Sequence, residues 1–477
     1  MSLADATRTL VSTATEQLRG TAAAADTVAI AARLEGPLRI AVAGRVKAGK
    51  STLLNALIRD RVAATDAGEC TKTITTYCNG LSYEVRGLLT DGTWTDVDAA
   101  RTDDGLEIRL PAAMAGALRR LEVRWPSSSL SRVTYIDTPG LVSINAENSA
   151  LTESVLTPEW GDQTDADAVL YLMRHVHQRD VAFLEAFMDR TVTLGTPLNA
   201  IGLLSRADEI GAGRFDAMDA AARIAARYRS EPTMRQLVAD VLPTAALLAE
   251  TAASHPDAEL ELLRRVAAEL GPDRARELAS VDRFRTSAAL SLSPGERDHL
   301  LMRFGLFGLR VSVERFASDP TATPAAVGEQ LYQLSGIGEV QRRISTQLEP
   351  QASVLKARSA LASLRRIGHD LSGSPTGGSM GARLLAEVDQ VEMAALDFTR
   401  LRTLHLLSSG LVALNAADTE HVRTIATTPD SVPREVALAG IDHWRTHLES
   451  PLLDTSTAEL CQLVTRLYEN RATTALT

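Results

Sequence analysis

The segment that most restricts this chain runs from Leu38 to Ile58, LRIAVAGRVKAGKSTLLNALI. An apolar run, LRIAVA, is followed by a loop with glycine at both ends and then by a helical pattern, STLLNALI. The loop, Gly44-Arg45-Val46-Lys47-Ala48-Gly49-Lys50-Ser51, matches G-x-x-x-x-G-K-[ST] in the strand–loop–helix setting that the motif requires. Its glycines let backbone N–H groups turn inward around phosphate oxygens, and the following helix adds its positive end at the same point. Lys50 is placed to reach the β- and γ-phosphates, Ser51 to ligate Mg2+, and Thr52 to extend the contact. A chance match in a loop would not bring the strand and the helix with it.

Short apolar runs alternate with helical patterns from Leu38 onward. LRIAVAG, RVTYIDTPG, AVLYLM and LNAIGLLS are the clearest strands, which implies an α/β domain with a mostly parallel sheet flanked by helices. Residues 1 to about 36 read as helix, with Leu3, Leu10, Val11 and Leu18 near one face, and Gly36-Pro37 punctuates its end. Beyond about Ser335 the strand signal disappears. Residues 352–368 form a long helical pattern, a Gly/Ser-rich loop from Ser372 to Gly381 interrupts it, and helix resumes from Arg383 to the end.

Two further segments narrow the nucleotide. Asp137-Thr138-Pro139-Gly140 closes the apolar strand VTYI. A carboxylate there can hold Mg2+ through water, and the Gly140 N–H can contact the γ-phosphate. The tetrapeptide is also good turn chemistry, but its place after a strand and well downstream of Lys50 favours the nucleotide role. Ser205-Arg206-Ala207-Asp208 follows the strand AIGLL. GTPases usually carry Asn- or Thr-Lys-x-Asp at this point. Asp208 can accept from the guanine N1 and N2 donors that adenine lacks, and Arg206 can lay its alkyl stem against the base. Ser205 and Arg206 depart from the usual pair, so an ATPase stays open as a reading, as does a plain surface Arg–Asp pair.

The segment TDAGECTKTITT, Thr65 to Thr76, offers a threonine to complete the Mg2+ shell when the γ-phosphate is present. Thr71 is the choice and Thr73 the alternative, while Thr75 and Thr76 suit a β-strand. A base-contacting loop is expected near Pro243-Thr244-Ala245. RFGLFGLR, residues 303–310, reads as core rather than a membrane wedge, because aromatics make up only 4 % of the chain and are valuable for burial. Arg365-Arg366 reads as a solvated helix face.

The net charge of -10 argues against nucleic-acid binding and leaves room for a local basic patch. The amino terminus lacks a signal-peptide pattern, and no apolar run is long enough to cross a bilayer; the uncharged stretch from Leu404 to Ala417 is broken by polar residues. Three scattered cysteines (Cys70, Cys78, Cys461) point to a reducing, cytoplasmic setting.

With these motifs in place, the chain resembles the dynamin-like GTPases of bacteria, in particular the actinobacterial isoniazid-inducible, IniC-like subgroup. The resemblance rests on AVAGRVKAGKSTLLNALI, TDAGECTKTIT, LRRLEVRWPSSSLSRVTYIDTPGL, LLSRADEIGAGRFDAM, RFGLFGLR and SGIGEVQRRI. It implies a GTPase head at 37–350 on an elongated helical neck and trunk formed by 1–36 and 351–477. The expected activity is Mg·GTP hydrolysis to GDP coupled to head pairing and trunk movement at a membrane, as a GTP-dependent homodimer or with a second dynamin-like protein. Residues 370–381, the one candidate tip, offer little to a bilayer, so contact at the inner face of the cell membrane would be peripheral. Lys47 stands where dynamins usually have a serine that helps hold a monovalent cation. Its ammonium could replace that ion, making Lys47, Lys50 and Thr71 the expected catalytic set; a solvated lysine is the bland alternative. A GTP-binding switch with negligible turnover is the other reading from a different class.

Overall fold

The computed structural model describes residues 2–45, 47–63, 73–102, 105–111, 114, 117–138, 166–174, 180–181, 184, 199–254, 257–374, 377–394, 396–408, 412–450 and 453–474. Two helices, α1 (Leu3–Gln17) and α2 (Ala24–Glu35), precede the first strand, β1 (Leu38–Gly44), and α3 (Lys50–Ile58) follows it. Then come β2 (Ile74–Asn79), β3 (Glu84–Leu89), β4 (Trp94–Asp96), β5 (Asp98–Thr102), β6 (Gly105–Arg109), β7 (Leu118–Trp125), β8 (Val133–Asp137), β9 (Ala168–Met173), β10 (Ala200–Ser205) and β11 (Asp240–Thr244). Every regular element described after Thr244 is helical.

Among the described residues, nine strands form one sheet in the order β11-β10-β9-β1-β8-β2-β7-β3-β4, and β5 and β6 make a separate hairpin. β1 pairs in parallel with both β8 and β9, and β9, β10 and β11 continue in parallel. β2 turns antiparallel to β8, and β3 and β4 end the sheet antiparallel. The parallel half is read easily from sequence because both its faces are covered, so its strands are mostly apolar. Along β1, Ile40 and Val42 enter the core beneath α3, while Ala41 and Ala43 enter the core on the opposite face. Tyr171 and Met173 of β9 share that second core with Ala221 and Ala225 of α4 (Ala217–Ser230). The period of two places successive side chains on opposite layers.

Past β11 the chain builds an all-helical core around α5 (Ala246–Ser254), α6 (Asp257–Leu270), α7 (Pro294–Ser318) and α8 (Pro324–Leu334). Ser293 and Glu296 close a reciprocal capping box at the start of α7, with Pro294 as the first helical residue. Phe304, Phe307 and Leu309 are buried in this core, as expected of RFGLFGLR, and each contributes about 2–3 kcal/mol by burial. Gly305 breaks the α7 geometry at φ 61°, a conformation that glycine adopts without steric penalty.

α1 and α2 pack against α9 (Ala352–Ser372) and α10 (Gly378–Ala394), so the amino-terminal helices join carboxy-terminal ones. Leu3, Leu10, Val11 and Leu18 are all buried in that contact. Lys356 Nζ donates to the carbonyls of Leu34 and Gly36 at 2.7 and 2.9 Å, which satisfies the exposed end of α2. The expected Ser372–Gly381 loop is shorter than read. α9 runs to Ser372, and α10 begins at Gly378 rather than near Arg383. A side chain at Gly381 would come within 2.5 Å of the Gly368 carbonyl, so close helix packing overrides the poor helix propensity of the Gly/Ser stretch. The last four helices, α11 (Leu396–Ser408), α12 (Ala416–Thr427), α13 (Arg434–Leu448) and α14 (Thr455–Thr474), share a core around Trp444. Among the described residues no helix is long and apolar enough to cross a membrane.

Candidate functional site

Because β1, β8, β9, β10 and β11 run the same way, their carboxyl ends open on one edge of the sheet. Chain order reverses at β1: one neighbour is β8, the other is β9. That reversal is the topological switch point at which open α/β sheets hold ligands.

Gly44 ends β1 at φ 149°, and a Cβ there would lie 2.6 Å from the Leu172 carbonyl of β9. Only glycine lets the loop leave the sheet so close to its neighbour. The loop then returns through Lys47 and Gly49, both at positive φ (62° and 97°), and α3 starts at Lys50. Lys50 Nζ folds back toward the carbonyls of Gly44 and Arg45 at 3.4 and 3.5 Å. Burial lowers its pKa, and the Asp137 carboxylate opposes that effect. Arg45 and Lys47 are exposed, and Ala48 is buried. Val46 lies outside the described residues.

Ser51 Oγ donates to Asp137 Oδ2 at 3.1 Å, so the first turn of α3 meets the end of β8. Burial pushes the Asp137 carboxyl up to about 6, with Lys50 pulling the other way. Its second oxygen, Oδ1, is buried and has no hydrogen-bond partner among the described residues. A buried carboxylate oxygen with no protein donor, beside a serine hydroxyl, is a hard-oxygen pair that fits Mg2+. Thr138 is structural: its hydroxyl donates to the Val42 carbonyl at 2.8 Å. Thr71 and Gly140 lie outside the described residues. Thr73 directly precedes β2, and Thr75 and Thr76 belong to that strand, as strand-forming threonines should.

Ser205 ends β10, and Arg206 and Asp208 stand just beyond it. Ser205 Oγ donates to the Met173 carbonyl at 3.3 Å. Arg206, at φ 54°, donates to the Lys47 carbonyl at 2.9 Å and to Glu209 at 2.9 Å. It therefore ties the phosphate loop to the Asp208 loop through its guanidinium. Asp208 is buried, and burial pushes its carboxyl up to about 6. Gly305, at the break in α7, is its neighbour: a Cβ there would lie 3.5 Å from Asp208 Oδ2. Arg310 braces the same loop by donating to the carbonyls of Ala212 and Gly213.

A cavity of about 180 Å3 joins these parts. Ala48 and Gly49 line it from the phosphate loop and Thr52 from α3, Ser205 from the end of β10 and Arg206, Asp208 and Glu209 from the loop after it, and Thr244 from the end of β11 with Ala246 and Leu247 of α5. Of the segment expected to hold a base-contacting loop, Pro243 and Thr244 end β11, and Thr244 lines the cavity. Sequence reading missed Glu209, which also accepts from Arg174 at the end of β9. Its spacing of three from Arg206 was the available signal; Arg174 had none.

The comparisons with known proteins agree with this geometry. A family model described as "Dynamin family" matches residues 40–179, which span the phosphate loop and the end of β8. The isoniazid-induced protein IniC of Mycobacterium tuberculosis (strain ATCC 25618 / H37Rv) is 34% identical over 458 residues, covering 92% of this chain and 91% of that protein. The isoniazid-induced protein IniA of the same strain is 29% identical over 153 residues, 30% of this chain and 24% of its own. A solved structure of an oligomerised bacterial dynamin pair covers all of this chain and 75% of its own at 13% identity, with a TM-score of 0.33, too loose a superposition to bear on the argument. With a dynamin head and a relative that similar along nearly its whole length, the chain belongs to the dynamin-like GTPase family of bacteria, in its IniC-like branch.

Proposed function

We propose that the chain binds GTP and GDP with Mg2+ and hydrolyses GTP, coupling that cycle to work at a membrane. The observation that carries this reading is the cavity shared by the phosphate loop, the Asp208 loop and the end of β11, with a buried carboxylate beside it. Asp208 would accept from guanine N1 and N2, and Arg206 would hold the two loops together while its stem covers the base. Lys50 would exchange its weak carbonyl contacts for phosphate oxygens. Ser51 and Asp137 would hold Mg2+, Asp137 through water, and Thr71 would complete that set. Held by these residues, the ion would supply positive charge against the negative charge that develops on the phosphate oxygens.

No described side chain is placed as a general base, so water would be positioned by backbone and loop groups, Thr71 and Gly140 included. Lys47 is exposed and forms no ion pair or side-chain hydrogen bond among the described residues, which leaves its ammonium available at the β–γ bridge. In that role it would replace the monovalent cation of other dynamins. Pairing of heads, with a second copy or a second dynamin-like protein, and movement of the α9–α14 helices against the head would deliver the cycle to a membrane surface.

Guanine selection is tested by competing a fluorescent GTP analogue with GTP, GDP and ATP in Mg2+. GTP and GDP should compete at least about 100-fold better than ATP, because a site built to hydrogen-bond one base rejects another that leaves its buried groups unpaired. Asp208→Asn should lose GTP and gain xanthosine triphosphate, whose O2 accepts where guanine N2 donates. Equal competition by ATP would overturn the reading.

A further inference from the structure

The carboxy-terminal helices carry a group of side chains that the nucleotide chemistry does not use. His443 and His447 stand four residues apart on α13, so both rings leave the same face one turn from each other. The rings meet edge to face with centroids 4.6 Å apart. Asp418, in the first turn of α12, points at both of them and is only 5 % exposed. His443 Nε2 lies 2.9 Å from Asp418 Oδ1, and His447 Nε2 lies 3.9 Å from Oδ2. One ligand atom from each of the three lies within 4.8 Å of the others. No other such group is found among the described residues.

We infer that Asp418, His443 and His447 form a binding site for a divalent transition metal, Zn2+ in chemical class. Zinc takes imidazole nitrogen at about 2.0–2.1 Å and carboxylate oxygen at about 2.0–2.2 Å, so tetrahedral ligand atoms sit about 3.3–3.5 Å apart. The observed separations of 2.9 and 3.9 Å bracket that value. Small side-chain rotations would bring the three ligand atoms to that spacing around one ion. Two imidazoles with one carboxylate suit zinc far better than Mg2+ or Ca2+, which prefer all-oxygen sets.

The surroundings fit a ligand set rather than a simple ion pair. An ion pair with Asp418 needs one histidine, whereas two ring nitrogens converge on the one carboxylate. Asn415 Nδ2 donates to Asp418 Oδ2 at 2.8 Å and fixes the rotation of the carboxylate, the outer contact that metal ligands use. Trp444, buried between the histidines in sequence, packs against both rings. Both histidine side chains remain nearly half exposed, so an ion can enter and water can fill the fourth position. The bound metal would clamp α12 to α13 over the core that holds Val422, Ile425 and Trp444.

The experiment uses the untagged full chain, stripped with a chelator and titrated with Zn2+ against a chromogenic zinc indicator, with excess Mg2+ and GDP present to occupy the head. Wild type should bind one equivalent and melt higher with Zn2+ than without it. His443→Gln/His447→Gln should weaken that binding by at least about 100-fold and abolish the Zn2+-dependent rise, while its circular dichroism and GDP binding stay as in wild type. If the double variant folds poorly, His447→Gln alone decides the same question. Undiminished zinc affinity in the histidine variant, or no saturable zinc binding by wild type, overturns the proposal.

Discussion

Lys47 is the residue on which the chemistry is most open to test. A lysine at φ 62° costs about 1–2 kcal/mol relative to glycine, and strain of this kind gathers at functional sites. Lys47→Gly removes the ammonium and relieves the backbone together. The variant should melt at or above the wild-type temperature yet turn GTP over about 100-fold more slowly, with little change in KM. Turnover equal to wild type, or a strict K+ requirement in wild type, would make Lys47 a solvated lysine. The buried carboxylates give a second residue-scale test. Burial raises Asp137 and Asp208 to about 6, above the ordinary carboxylate value. The folded state therefore binds protons more tightly than the unfolded state, and stability falls as pH rises from about 4 to about 6. Each group accounts for about 2–3 kcal/mol across that window. Nucleotide-free protein should thus melt lower at pH 7 than at pH 5. GDP affinity should fall below pH 6, because guanine needs Asp208 ionised; a flat affinity from pH 5 to 7.5 would contradict that assignment.

At the scale of elements, the site depends on pieces that support it from outside the motifs. Gly336 sits at φ 75°, and a Cβ there would lie 2.4 Å from the Pro243 carbonyl of β11. The Ser335 carbonyl also accepts from the Ala245 N–H at 2.8 Å, so this turn seats the third wall of the cavity. Gly336→Ala should destabilise the head by about 2–3 kcal/mol and weaken GDP binding by about tenfold, read by thermal melting and nucleotide titration. Unchanged binding would show that the end of β11 positions no part of the nucleotide. The same pattern explains what was legible. The phosphate loop, β8 with Asp137 and β10 with Asp208 were visible because each is a local run of sequence after an apolar strand. The antiparallel half of the sheet was not. β7, LRRLEVRW, alternates charge with apolar residues, and β4 has three residues, so neither announces its place. The start of α10 was hidden by glycines that serve close packing, and the Asp418–His443–His447 cluster by its separation in sequence.

For the whole molecule, the family resemblance led sequence reading to expect the amino-terminal helix to join the carboxy-terminal ones, and α1 and α2 do share a core with α9 and α10. A nucleotide head connected through such a helical core is suited to passing a change at the phosphate loop into helix movement. If heads must pair to hydrolyse, activity per molecule depends on concentration. The direct measurement is GTP and ATP hydrolysis by the full chain across a wide range of protein concentration, with Lys50→Ala as the inactive control. GTP turnover per chain should rise with concentration toward a plateau, ATP turnover should stay near background, and Lys50→Ala should abolish the signal. Turnover that is negligible or flat with concentration, or equal for ATP, would contradict the account.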